Sequence, residues 1–163
     1  MKHTSQEFIS YLQWIHAHNK TELCHIRRNL SLSDEFSCES DFIDCFCGIK
    51  KEIGIGRYYA YYITLRLFAI HPKCNKTTLG HAMQYVYKRQ RCSEVVDRRF
   101  LSVFDNRFSI SRSIEKSVLI LKRYNVGLDY IYLLDDLIDL FECDELSKSD
   151  LVRRRWAEDF YGF

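Results

Sequence analysis

The stretch "IGRYYAYYITLRLFAI", residues 55–70, decides how the whole chain is read. Wound into a helix, it points apolar or tyrosine side chains in almost every direction around its axis. A helix of that kind is contacted on several sides, so the stretch predicts a central element with other helices packed about it. His71-Pro72 ends it, because proline cannot continue the hydrogen-bond pattern.

On either side the sequence repeats the chemistry of helix starts. Thr4 and Glu7 have the spacing of a capping box, and the helix that follows places Phe8, Leu12 and Ile15 on one face. Thr21 predicts a short helix carrying Leu23 and Ile26, and Ser33 or Ser40 predicts another through Phe42 and Phe46. Further on, Thr78, Ser93, Ser111, Asp129 and Ser149 each stand at the head of a periodic segment. Val96, Phe100 and Val103 make one stripe, Ile114, Val118 and Leu121 the next, and Tyr130, Leu133, Leu134 and Leu137 a third. Short connections imply antiparallel neighbours. The expected fold class is all-α: eight or nine helices in two small helical-bundle lobes. The N-terminal helical lobe covers residues 1–90 and the C-terminal helical bundle residues 91–163, with the boundary near 88–93.

Composition agrees with that class. The single proline and six glycines of this 163-residue chain are too few for a strand-and-turn architecture. No apolar run approaches the roughly 20 residues that span a bilayer, and the opening "MKHTSQEFIS" lacks the apolar segment of a secretion signal, so a cytoplasmic protein is expected. Seven cysteines, odd in number and irregularly spaced, predict reduced, buried thiols and not a disulfide framework.

The net charge of +2 is unevenly spread. Residues 1–41 carry four Lys or Arg against six acids, residues 42–123 carry sixteen against six, and residues 124–163 carry four against ten. A basic middle between acidic flanks points to a polyanionic partner such as a phosphate backbone, while a merely solubilising surface is the competing reading. Enzyme and metal constellations are poor. Cys45 and Cys47 have no second ligand pair at zinc spacing. His16 and His18 point about 200° apart on a helix. Gly54 and Gly56 lack the third glycine and preceding strand of a dinucleotide fingerprint. Asp135, Asp136 and Asp139 read as a solvated helix face. The expectation is a non-enzyme with no catalytic residue, no metal and no cofactor.

The cations carry more information. In the helix after Ser111, Arg112, Lys116 and Arg123 cluster opposite the apolar stripe, forming a ridge about 16 Å long with Leu119 inside it. Such a ridge can follow a strand backbone without reading its sequence; a plain solvated face is the alternative. Arg98 in "VVDRRF" projects away from its stripe as a free surface cation, and Arg99 flanks the stripe with its stem along the core edge. Lys73 and Lys76 lie in the loop "HPKCNKTT", and Lys88, Arg89 and Arg91 in "YKRQR" close the helix that follows it.

The order of "CHIRRNL" (24–30), "FAIHP" (68–72), "TLGHAM" (78–83), "VDRRFLSVF" (96–104), "LDYIYLLDDL" (128–137) and "RRRWAEDFY" (153–161) resembles the CasB family along almost the whole chain. Members of that family are the small subunit of the type I-E CRISPR surveillance complex called Cascade. The resemblance implies a two-lobed helical protein without a catalytic role. Its expected partners are other Cascade subunits, a second copy of itself, and crRNA and target DNA, including the displaced strand. This is the logic of RNA-guided recognition, in which protein cations hold backbones while base pairing reads the sequence. Carried onto the matching motifs, the family's nucleic-acid contacts fall at Arg28, Lys76, Arg99, Arg107, Lys116 and Arg153. Together with the ridge and loop cations, the expected nucleic-acid-binding set is Arg28, Lys73, Lys76, Arg98, Arg99, Arg107, Arg112, Lys116, Arg123 and Arg153. Lys116 stands where the family can offer Arg, which replaces a bidentate phosphate contact by a point charge. His81 in "LGHA" likewise stands where Arg is possible.

A free-standing helical DNA-binding regulator and a structural adaptor are the alternatives; the first would need a recognition helix with a proper turn before it, and none is seen. In the closing "RRRWAEDFYGF", Val152, Trp156, Phe160 and Phe163 form a core-facing stripe. Arg154 and Arg155 have Glu158 and Asp159 four residues on, so Arg153 is the one of the three expected to reach phosphate.

Overall fold

A helix that is apolar all round needs a complete coat, and the computed structural model shows that coat drawn from both halves of the chain. Residues 4–31, 39–48, 50–105, 109–142 and 146–162 are described. Among them are ten helices: α1 (Ser5–His18), α2 (Lys20–Asn29), α3 (Asp41–Phe46), α4 (Lys50–Ile53), α5 (Ile55–Ile70), α6 (Leu79–Arg89), α7 (Glu94–Leu101), α8 (Ile110–Arg123), α9 (Tyr130–Glu142) and α10 (Leu146–Tyr161). The described residues form no strand beyond an isolated bridge between Cys74 and Leu128. The chain is all-α. The described residues hold one helix more than the upper of the eight or nine expected, because the single turn α4 is too short to show a period.

Helix α5 is the hub. Its most extensive neighbour is α9, and α2, α3, α4 and α8 cover its other sides. Twelve of its sixteen residues are buried, so no face is left for solvent. Buried tyrosines need partners for their hydroxyls. Tyr58 donates to Asp44 Oδ1 at 2.8 Å, Tyr62 to the Ser31 carbonyl at 2.8 Å and Tyr59 to Ser111 Oγ at 3.1 Å, which ties α5 to three surrounding segments. Each large apolar side chain so enclosed contributes about 1.5–3 kcal/mol.

Two glycines set how closely the helices approach. A Cβ on Gly56 would lie 2.1 Å from the Phe141 carbonyl oxygen, and one on Gly80 would lie 2.5 Å from that of Trp156. Gly56 therefore serves the α5–α9 contact, and Gly80 in "TLGHAM" serves the contact of α6 with α10. Residues 90–93 connect α6 to α7, and the α5–α9 and α6–α10 pairings run across that connection.

Several local expectations need correction. The Thr4–Glu7 capping box is present, but α2 is capped by Asn19, whose side chain accepts from Glu22 N–H, and not by Thr21. Ser109, not Ser111, precedes α8; Ser111 is buried. Helix α10 begins at Leu146, ahead of Ser149. Ser33 and Phe163 lie outside the described residues. Of the five described cysteines, only Cys47 is buried, where its thiol is pushed up to about 12 by desolvation; Cys24, Cys45, Cys74 and Cys92 are exposed.

The acidic face of α9 is also corrected. Asp136 is 4% exposed and accepts from Trp156 Nε1 at 2.5 Å and from the Arg155 guanidinium. It is an internal acceptor that fixes α10 on α9. Burial pushes its carboxyl up from the ordinary aspartate range, and the Trp156 and Arg155 contacts oppose that shift.

Candidate nucleic-acid interface

Helix α8 presents its cations from a rigid mount. Ile114, Val118 and Leu121 are buried together with Ser113 and Ser117, while Arg112, Lys116, Leu119 and Arg123 are exposed on the other side. The ridge read from the periodicity is therefore a real surface feature. Polar rungs fasten α8 to α5 along its length. Near the start Tyr59 meets Ser111, and Arg66 pairs with Glu115 at 2.7 Å one turn later. Just beyond the end, His71 Nε2 lies 2.7 Å from the Val126 carbonyl. Burial lowers the His71 pKa below the ordinary histidine value, with Lys122 and Lys73 adding to the effect, so the neutral ring donates from Nε2.

Helix α7 crosses beside it. Val96 and Phe100 are buried, and Phe100 stacks on Phe160 of α10 with centroids 4.3 Å apart. Tyr161 donates to Asp97 at 2.9 Å, which adds a second tie between the terminal helix and α7. With that face fixed, Val95, Arg98, Arg99 and Ser102 fall at i, i+3, i+4 and i+7 and share a side of the helix that flanks it. They line a hollow of about 570 Å³ with Leu101, Asp105 and Lys116. Lys116 is the point where the α8 ridge enters it.

The hollow thus brings together Arg98, Arg99 and Lys116. Arg112, one turn before Lys116, and Arg123 continue the charge along α8 outside it. Arg98 is not the free cation expected, since Glu94 lies 3.4 Å away; both are strongly exposed, and an i, i+4 pair of that kind is weak. Arg123 has its guanidinium 5.9 Å from the ring centre of Tyr124. Lys73 donates from Nζ to the Asn125 carbonyl at 2.7 Å, so its charge closes the C-terminal turn of α8. Lys76 is exposed and lines a separate hollow with Gln6, Gln13 and Asp129. Arg28 is exposed in the last turn of α2, among helices that pack elsewhere on α5. Arg107 lies outside the described residues.

The terminal triplet divides differently from the expectation. Arg154 pairs with Glu158 at 2.8 Å as predicted, but Arg155 turns to Asp136 of α9 and leaves Asp159 to accept from Thr78 Oγ1 at 2.5 Å. Arg153 is half-buried. His81, where a cation was possible, sits with Nδ1 3.0 Å from Thr78 Oγ1 and 3.4 Å from Asp159, turned toward α10. Val95, Leu101 and Asp105 were not singled out as lining residues by the sequence. The available signal was Val95, an apolar residue beside the Val96 stripe and not on it.

A family model described as CRISPR-associated protein Cse2 matches residues 51–161, which include α5 through α10. Three solved structures share the fold. CasB from M. ruber is 21% identical, with 97% of this chain and 92% of that one covered and a TM-score of 0.75. CasB from Thermobifida fusca is 18% identical, with 96% and 95% covered and a TM-score of 0.72. A CRISPR-associated protein of the Cse2 family from Thermus thermophilus is 20% identical, with 98% of each chain covered and a TM-score of 0.69. No curated protein sequence matches significantly. The family model covers well over half of the chain, and the whole described fold follows the same plan: the chain belongs to the Cse2, or CasB, family of CRISPR-associated proteins.

Proposed function

We propose that the chain is a non-catalytic small subunit of the type I-E CRISPR Cascade complex, acting in antiviral defence. It binds nucleic acid without regard to sequence, and it stabilises both the pairing of crRNA with target DNA and the displaced DNA strand. Its partners are the other Cascade subunits, a second copy of itself and these nucleic acids, and its place is the cytoplasm. The two lobes divided near residue 90 form part of this reading. One observation supports it above the others: in a chain of this family, Arg98, Arg99 and Lys116 converge on one hollow from two different helices. Cations so placed attract phosphate, while the adjoining ridge of Arg112 and Arg123 extends the attraction along a strand. Direct sequence reading needs matched donors and acceptors aimed at base edges, and the ridge offers only positive charge.

The test is strand binding by fluorescence anisotropy across a salt series. Log affinity for single-stranded DNA should fall linearly with log salt, with a slope of about −0.7 per phosphate neutralised. The paired substitutions Arg99→Glu and Lys116→Glu should weaken binding to all sequences and shallow that slope. A flat salt response of the unmodified protein would remove the nucleic-acid role.

A further inference from the structure

We infer that the hollow between α7 and α8 seats an unpaired nucleotide, base as well as phosphate, so that the protein prefers single-stranded nucleic acid to duplex. The inference rests on the reading just given and goes beyond backbone contact.

The lining combines two chemistries. Arg98, Arg99 and Lys116 supply positive charge, while Val95 and Leu101 leave 61% and 43% of their surface in water. One exposed aliphatic residue is ordinary. Two in the same hollow, beside three cations, call for an occupant with an anionic part and an apolar part. A duplex meets only half of that demand, because it turns phosphates outward and keeps its bases stacked inside. Its backbone would engage the cations and leave both aliphatic side chains wet. An unpaired nucleotide meets both halves, since its base is unstacked and presents a flat apolar face. The hollow is large enough: about 570 Å³ lies inside the range of roughly 300–1,000 Å³ typical of small-molecule sites.

One further feature favours a nucleotide over an acidic peptide. The cations do not stop at the hollow but recur along α8 at Arg112 and Arg123, which suits a polymer charged at every unit. The phosphate therefore lies toward Arg98, Arg99 and Lys116, with the base against Val95 and Leu101.

Anisotropy titrations at one salt concentration separate the possibilities, using three probes of equal length: a base-bearing single strand, an abasic single strand and a duplex. The base-bearing strand should bind about tenfold more tightly than the abasic strand, the gain expected for covering a small apolar surface. The double substitution Val95→Ser with Leu101→Ser should bring those two affinities together. Leu151→Ser, at an exposed leucine on α10, should keep them apart. Circular dichroism melts show whether each variant is folded. Equal affinity of the unmodified protein for base-bearing and abasic strands overturns this inference and leaves the backbone reading standing. Binding of an acidic leucine-containing peptide with no binding of any strand overturns both.

Discussion

Two arginine runs look alike in the sequence, Arg98-Arg99 in α7 and Arg153-Arg154-Arg155 in α10, yet the fold gives them opposite surroundings. In α10, Arg154 faces Glu158, Arg155 holds the buried Asp136, and Arg153 is half-buried. In α7, both arginines are exposed and overlook a hollow that a lysine from α8 also enters. The difference follows from what lies on the neighbouring helix. Helix α9 brings an internal carboxylate to α10, whereas α8 brings Lys116 to α7. Charge that meets its opposite inside the fold becomes structure, and charge that meets its like at the surface is left for a partner.

Disturbing the α10 side should cost stability first. Trp156→Ala removes the largest fully buried side chain and should destabilise by about 3–5 kcal/mol in urea unfolding. A loss below about 1 kcal/mol would mean that α10 is not held as described. Asp136→Ala should cost about 1–3 kcal/mol, because the Trp156 N–H loses its acceptor inside the protein. Arg155→Ala should cost less, as that side chain is 46% exposed and Asp136 keeps the Trp156 contact. If Arg155→Ala proved the costlier of the two, the ion pair and not the indole contact would be the main tie.

Acid should act at the far end of α8. His71 has a lowered pKa when folded, so the unfolded chain takes up a proton near its ordinary value of 6.5 while the folded chain does not. Stability should accordingly be constant above about that pH and decline below it until the folded pKa is reached. His71→Gln should remove this part of the decline. The smallest stability effect is expected from Arg98→Ala with Arg99→Ala, within about 0.5 kcal/mol, although strand binding should weaken. A large loss of stability there would collapse the contrast between the two runs.

How much of this was legible depended on whether the partner lay nearby in sequence. The stripes of α7, α8 and α10 and the all-round burial of α5 follow from periodicity, a local property, and the fold class came with them. The ridge of Arg112, Lys116 and Arg123 was legible for the same reason. The fate of Asp136 was not, because Trp156 is 20 residues away and nothing in "LLDDLIDL" separates it from Asp135. Lys73 was read as a loop cation, but its acceptor, the Asn125 carbonyl, exists only once α8 has ended beside it. The hollow itself depends on how α7 crosses α8, a relation that no single segment encodes. Gly80 and Trp156, both within motifs that carry the family resemblance, prove to be packing residues. Resemblance therefore located the fold more directly than the site.

The rungs from α5 to α8 have a mechanical consequence. Tyr59–Ser111, Arg66–Glu115 and His71–Val126 clamp one helix to the other at both ends and in between. On the proposed reading, a strand tugging on Lys116 or Arg112 would pull against the central helix of the whole molecule. Helix α8 cannot tilt without breaking a rung, so the spacing of its charges is held like the teeth of a rack. A flexible strand bound as proposed would have to adjust its own pitch to that spacing, so this face would act as a ruler as well as a grip.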